Sequence, residues 1–119
     1  MNSKQRNIDI LEHIIEYCDE IEKTMSHFGA ALENLESSRI FRNAVSMCIL
    51  QIGELTTHLS DDFKARYSEM PWQDIKSMRN IAAHHYGNFD AKKLWETIIE
   101  DIPSLREYCG KAITELLQS

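Results

Sequence analysis

The segment Met78-Arg79-Asn80-Ile81-Ala82-Ala83-His84-His85-Tyr86 places a guanidinium, a carboxamide, two imidazoles and a phenol close together in the chain. Arginine keeps its charge at any physiological pH and offers a fork of donors that fits an oxyanion, whereas a histidine with an ordinary pKa near 6.5 moves a proton near neutrality. These residue types can hold an anion and carry out acid–base chemistry on it without a metal ion. At about 100° per residue, with Arg79 at zero, Trp72, Ile75, Met78 and Ala82 fall in an arc near 290°, which must be the core side of a helix. Asn80 at about 100° and His84 at about 140° lie opposite that arc, and Arg79 and Tyr86 lie nearly in register at its margin. His85, near 240°, sits at the edge of the core arc and is expected to be a structural histidine, which leaves His84 as the candidate for chemistry. An ideal helix separates Arg79 and His84 by about 140°, so both can grip one substrate only if the helix end unwinds near Gly87 or a second copy contributes. A twofold dimer would meet that need.

The elements that must carry this segment read as helices throughout. Leu11, Ile14, Ile15, Cys18, Ile21, Met25 and Phe28 recur at steps of three and four, which predicts one long helix from about Arg6 to Met25. Gly29 marks its end or the following turn, and Ala30–Glu36 is a candidate short helix. A central core helix is expected from Phe41, Ala44, Val45, Cys48, Ile49, Ile52, Leu55 and Leu59, capped by Ser37 or Ser38. Gly53 inside it costs about 1 kcal/mol relative to alanine, and close approach of another helix is the simplest compensation. Ser60 caps a short turn, Pro71 suits the first turn of a helix over about 72–86, Gly87-Asn88 breaks it, and Asp90 caps the next. Leu94, Trp95, Ile98 and Ile99 supply the apolar face of that helix. Pro103 either starts a fresh helix or kinks a continuous one that carries Leu105, Cys109, Ala112, Ile113, Leu116 and Leu117. The expected fold is an all-α, up-and-down bundle of four or five main helices.

At 119 residues the chain fits a single domain, residues 1–119, with no room for a second ordinary core. Hydrophobic residues at 43% and charged residues at 27% match a globular chain and not a disordered tail. No run approaches the ~20 apolar residues of a membrane span, and the polar stretch Met1–Asp9 does not read as a signal peptide, so a cytoplasmic location is expected. Cys18, Cys48 and Cys109 form no C-x-x-C pair and fall on apolar stripes, which points to reduced core thiols. Thirteen basic against nineteen acidic residues give a net charge of −6, so any contact with nucleic acid must run through a local pocket. His13, His27 and His58 lack ligand spacing, and no metal site or cofactor is expected.

Arg79, four intervening residues, His84, one residue and Tyr86 match the R-x4-H-x-Y motif, and the chain here resembles the HepT-like toxins of the HEPN superfamily. The likeness covers nearly the whole chain. Ile49-Leu50-Gln51-Ile52-Gly53-Glu54 with Leu59-Ser60 is similar to that family's central-helix segment, and Pro71-Trp72 before Ile75, Met78 and Arg79-Asn80 to its motif-helix entry. Leu94-Trp95-Glu96-Thr97 through Asp101-Ile102-Pro103 and Leu105 is similar to its C-terminal part. His85 stands where many relatives carry an acidic residue, and Ile81-Ala82-Ala83 is smaller than their usual filling. The resemblance implies an HEPN-like fold, a homodimer, and a metal-independent ribonuclease site formed by Arg79 and His84 across the dimer interface. It also implies the toxin role in a type VII toxin–antitoxin system, whose MNT-type nucleotidyltransferase partner transfers AMP to the motif tyrosine, here Tyr86.

These residue types suit RNA, which carries its own nucleophile in the 2′-OH. His84 then serves as acid or base, a role typically worth about 10²–10⁴ in rate, Arg79 clamps the phosphate, and Asn80 positions a phosphate or sugar oxygen. Without its modification Tyr86 is an amphipathic residue with its ring at the core margin and its hydroxyl in water. A rival reading makes the chain a non-catalytic helical binding subunit of a small nucleotidyltransferase; a bare dimerisation module explains the periodicity and Gly53 but not the motif. Glu54 is expected to be solvated, with a pair to Arg79 across helices as the alternative. Lys92-Lys93 reads as a wet face that can also guide RNA, and Trp72 and Trp95 as core or interface anchors.

Overall fold

A computed structural model describes the backbone of residues 2–83 and 90–119, and the side chains of residues 2–80 and 90–119. Helix α1 spans Ser3–Phe28, α2 Leu32–Ser37, α3 Arg39–Thr56, α4 Asp61–Arg66 and α5 Trp72–Ala83. Helix α6, Ala91–Glu96, runs through a π turn at Thr97–Asp101 into α7, Ile102–Gln118. No strand occurs among the described residues, and the all-α expectation holds. Among the described residues four long helical rods, the last being the α6–α7 run, carry the core, with α2 and α4 as short connectors.

Capping residues set the helix ends. Asn2 accepts from the Gln5 N–H, Ser38 from the Phe41 N–H, Ser60 from the Phe63 N–H, and Asp90 from the N–H groups of Lys92 and Lys93, so donors that helix geometry leaves unpaired are met by side-chain oxygens. Gly29 ends α1 with φ at 93°, a backbone conformation that a side chain disfavours, and its N–H reaches Met25 O at 2.9 Å. Of the two readings for Pro103, the continuous one is correct. Its ring would strike the carbonyl four residues back in a regular helix and it has no N–H to give, and the π turn just before it widens the spiral at that point. α3 ends at Thr56, three residues short of Leu59, which stays buried beyond the helix.

α3 sits in the middle, packed on one side against α1 and on the other against α5, while α7 lies along α1. The predicted stripes are the core: Leu11, Ile14 and Ile21 of α1 meet Val45, Ile49 and Ile52 of α3 and Leu105 and Ala112 of α7 in one buried cluster. Phe28 stacks on Phe41 at 5.0 Å between centroids, and Lys4 Nζ donates to Ser119 O at 2.6 Å, which sets α1 antiparallel to both α3 and α7. Cys18, Cys48 and Cys109 are buried, unpaired thiols, each pushed up to about 12 chiefly by loss of solvent. Among the described residues no helix is long and apolar enough to cross a membrane.

Two polar features lock the frame. Asn7, buried on α1, donates from Nδ2 to Ser60 Oγ at 3.1 Å and accepts from the Ser60 N–H at 3.1 Å, tying the start of α1 to the cap of α4. An aromatic cluster fixes the entry to α5: Trp72 lies 5.5 Å from Phe63 and 6.1 Å from Tyr108 between centroids. The Trp72 indole donates to Tyr67 O at 2.9 Å, and the Tyr108 hydroxyl donates to the same carbonyl at 3.2 Å. A large buried ring with its one donor satisfied is a strong anchor, so the direction in which α5 carries Arg79 is settled at its first residue.

Candidate active site

The helical wheel sorts the described side chains of α5 correctly. Trp72, Ile75 and Met78 are buried, Asn80 is exposed, and Arg79 lies at the margin between them with its side chain 33% exposed. The side chain of Ala82, expected on the core face, lies outside the described residues, as do His84, His85 and Tyr86. The described half of the motif is therefore Arg79 and Asn80.

Arg79 is held by α3. Its stem crosses that helix at Gly53, where a Cβ would overlap Arg79 Cγ and stand only 3.2 Å from Arg79 Cδ and 3.3 Å from the carbonyl oxygen of Lys76. The absent side chain is what lets α5 and the arginine come this close, which is the compensation that a glycine in a helix interior requires. Thr56 Oγ1 donates back to Gly53 O at 2.8 Å, fastening the end of α3 beside the crossing. Beyond Gly53 the guanidinium donates from Nη1 to Glu54 Oε1. The expectation of a solvated Glu54 is thus corrected: its side chain, 49% exposed, is the partner of Arg79. Two consecutive residues of α3 accomplish both tasks because successive helix positions diverge by about 100°, so Gly53 faces α5 while Glu54 reaches round its flank.

Such an exposed ion pair adds little to stability, roughly 0–1 kcal/mol, so its effect lies in where the guanidinium is held. Glu54 takes one of the five guanidinium donors through Nη1. Asn80, exposed on the next position of α5, presents a donor and an acceptor on the solvent side. Lys92 and Lys93 are exposed at the start of α6, as a wet face requires. Trp95 is partly buried against the core.

A groove of about 500 Å³ lies elsewhere, on the seam of α1 with the π turn and α7, lined by Cys18, Ile21, Met25, Ile98, Ile99 and Ile102 among others. Its thiol is held neutral by burial, and Arg106 at its edge is taken by Asp19 through two hydrogen bonds, so the groove offers apolar surface and no activated nucleophile. No group of three or more His, Cys, Asp or Glu side chains that could hold a metal ion occurs among the described residues.

Comparison with known proteins gives the family. Residues 10–112 match the family described as Ribonuclease HepT-like. A protein of Caldanaerobacter subterraneus subsp. tengcongensis named "Putative RNase TTE0752" is 30% identical over 91% of this chain and 91% of its own length. One of Thermococcus cleftensis named "Probable ribonuclease HepT" is 33% identical over 87% of this chain and 92% of its own. A longer protein of Methanocaldococcus jannaschii, "Gamma-glutamylcyclotransferase and putative RNase MJ0434", is 31% identical over 89% of this chain but only 47% of its own length. No solved structure matches the chain.

Proposed function

The chain belongs to the HepT-like ribonuclease family, and from that premise we propose that it is the toxin of an MNT/HEPN toxin–antitoxin pair that cuts RNA without a metal ion. The observation that carries this reading is the family match over residues 10–112, because it takes in the whole run from Gly53 through Tyr86. Arg79, anchored at the surface by α3, supports it as the phosphate clamp.

The chemistry runs by attack of a ribose 2′-oxygen on the adjacent phosphorus. The 2′-O–P bond forms, the P–O5′ bond breaks, one proton leaves the 2′-OH and one arrives on the departing 5′-oxygen, giving a 2′,3′-cyclic phosphate and a 5′-hydroxyl. His84 carries one of these protons, a task for which a side chain titrating near neutrality is suited. Arg79 binds the phosphate oxygens on which negative charge gathers in the transition state, and Asn80 holds a phosphate or sugar oxygen.

A homodimer completes the site. On α3, Ile40 is 71% and Met47 55% exposed, and with Glu54 they recur every seven residues, so two exposed apolar side chains share one face of the helix with the Glu54–Arg79 pair. A twofold partner seated on that face would bring two motif helices together. In the pair's control, the nucleotidyltransferase antitoxin transfers AMP from ATP to the Tyr86 hydroxyl: the phenolic oxygen bonds to the α-phosphorus and pyrophosphate leaves. The new phosphodiester adds charge and bulk beside a phosphate-binding site and shuts it.

A second reading, the non-catalytic binding subunit of a nucleotidyltransferase, is favoured by the net charge of −6 and by the carboxylate already resting on Arg79. Cleavage of a mixed RNA substrate in EDTA by the parent protein and by an Arg79→Ala/His84→Ala variant separates the two. Cleavage by the parent alone is expected; equal cleavage by both, or none by a folded, dimeric parent free of adduct at Tyr86, overturns the ribonuclease reading.

A further inference from the structure

We infer that Glu54 is a positioning residue for the ribonuclease reaction: it fixes the guanidinium of Arg79 relative to α3, so that the phosphate is met by an arginine already in place. The inference rests on the ribonuclease reading for its reaction but on the geometry of α3 and α5 for its substance. An arginine on a helix surface has a long, rotatable side chain and sweeps a wide volume. Here two independent constraints remove that freedom. The stem lies across Gly53, where Cγ and Cδ occupy the space of the missing side chain, and the head group is bonded through Nη1 to the carboxylate of the very next residue.

Neither constraint is needed to hold α3 and α5 together. Trp72, Ile75 and Met78 of α5 and Ile49 and Ile52 of α3 all belong to the buried core, whereas the ion pair is half in water. A carboxylate beside a phosphate-binding arginine also opposes the substrate's charge, so its presence requires a return, and orientation supplies one. A group held in its working position spares the reaction the loss of freedom at the moment of attack, and a shift of about 1 Å in such a group costs about 10² in rate. The carboxylate needs only to accept a hydrogen bond for this purpose, so a glutamine of the same length is a sufficient replacement.

The test uses the full chain with Glu54→Ala and Glu54→Gln, RNA cleavage in EDTA resolved into kcat and KM, and hydrogen exchange at the Arg79 Nε–H followed by ¹⁵N NMR. Glu54→Ala is expected to lower kcat by about 10² with little change in KM and to speed exchange at Arg79, and Glu54→Gln to restore most of both. Three results overturn the inference: a Glu54→Ala protein that cleaves as fast as the parent or faster, a loss confined to KM, or a Glu54→Gln protein as impaired as the alanine variant, which would mark the charge itself as the requirement. Should the folded parent cleave no RNA, the ribonuclease reading fails by itself. The exchange measurement then decides the positioning, and an Arg79 signal that does not respond to Glu54→Ala overturns it.

Discussion

Replacing Gly53 by alanine sets two effects of known sign against each other. In a helix interior the change is worth about 0.8–1.0 kcal/mol in favour of alanine. Against it stands the new Cβ, which overlaps Arg79 Cγ and lies 3.3 Å from the backbone carbonyl of Lys76. The arginine can swing out, losing the Glu54 pair at roughly 0–1 kcal/mol, but the Lys76 carbonyl moves only with α5, and overpacking of this kind costs about 1–3 kcal/mol. The cost exceeds or cancels the gain, and Gly53→Ala is expected to be about 0–3 kcal/mol less stable than the parent. Gly110 in α7 supplies the control, since a Cβ there meets nothing within 4 Å. Gly110→Ala should gain the full helix term, about 1 kcal/mol, or roughly 3–6 °C in Tm for a chain of this size. Thermal and urea unfolding of the two variants, with RNA cleavage alongside, checks both halves: Gly53→Ala should also lose about 10² in cleavage because Arg79 is displaced. If both alanines raised Tm equally, or if Gly53→Ala cleaved like the parent, the close crossing of Arg79 over α3 would be refuted.

Further expectations follow from the frame. Asn7→Ala removes both bonds to Ser60 and should cost about 1–3 kcal/mol in urea unfolding while leaving Arg79 exchange untouched, because Arg79 is held by Gly53 and Glu54 instead. The three thiols ionise in the unfolded chain near the ordinary 9.0 but only at about 12 in the fold, so the fold is favoured below pH 9 and loses stability as pH climbs from 9 to 12. Buried Cys109 alone contributes a slope of up to about 1.4 kcal/mol per pH unit in that window, and alkylation of the native protein at pH 8 should be negligible until denaturant is added. A slope of the opposite sign would contradict the burial of these groups. Ile40→Asp with Met47→Asp should leave the folded chain intact and yield monomers by sedimentation; a dimer that survives both changes would place the twofold interface elsewhere.

By itself the sequence carried the helices and the core, and from it alone the candidate site is proposed. Apolar steps of three and four are a local property of the chain, so the stripes of α1, α3, α5 and α7 were legible, as were the caps Ser60 and Asp90, whose reach is only two or three residues, while the α3 cap was narrowed to Ser37 or Ser38 and the structure shows Ser38. The order of faces on α5 followed from the same periodicity, which put Trp72, Ile75 and Met78 inside and left Arg79 at the margin. Gly53 declared itself as an anomaly, a costly residue in a core helix, without saying which group would use the space.

Pairings between distant residues were a different matter. Asn7 and Ser60 are 53 residues apart, and Glu54 and Arg79 are 25 apart. A surface glutamate with a solvated carboxylate and one bonded to an arginine across two helices look identical in a helical wheel, because the wheel contains one helix and the bond needs two. The choice at Pro103 between a fresh helix and a continuous one likewise depended on whether the chain passes through a π turn just before it. Periodicity tells a residue which way to face; only the packed arrangement of α3 against α5 fixes what it meets there, because distance in space is set by how the apolar faces close and not by the order of residues in the chain.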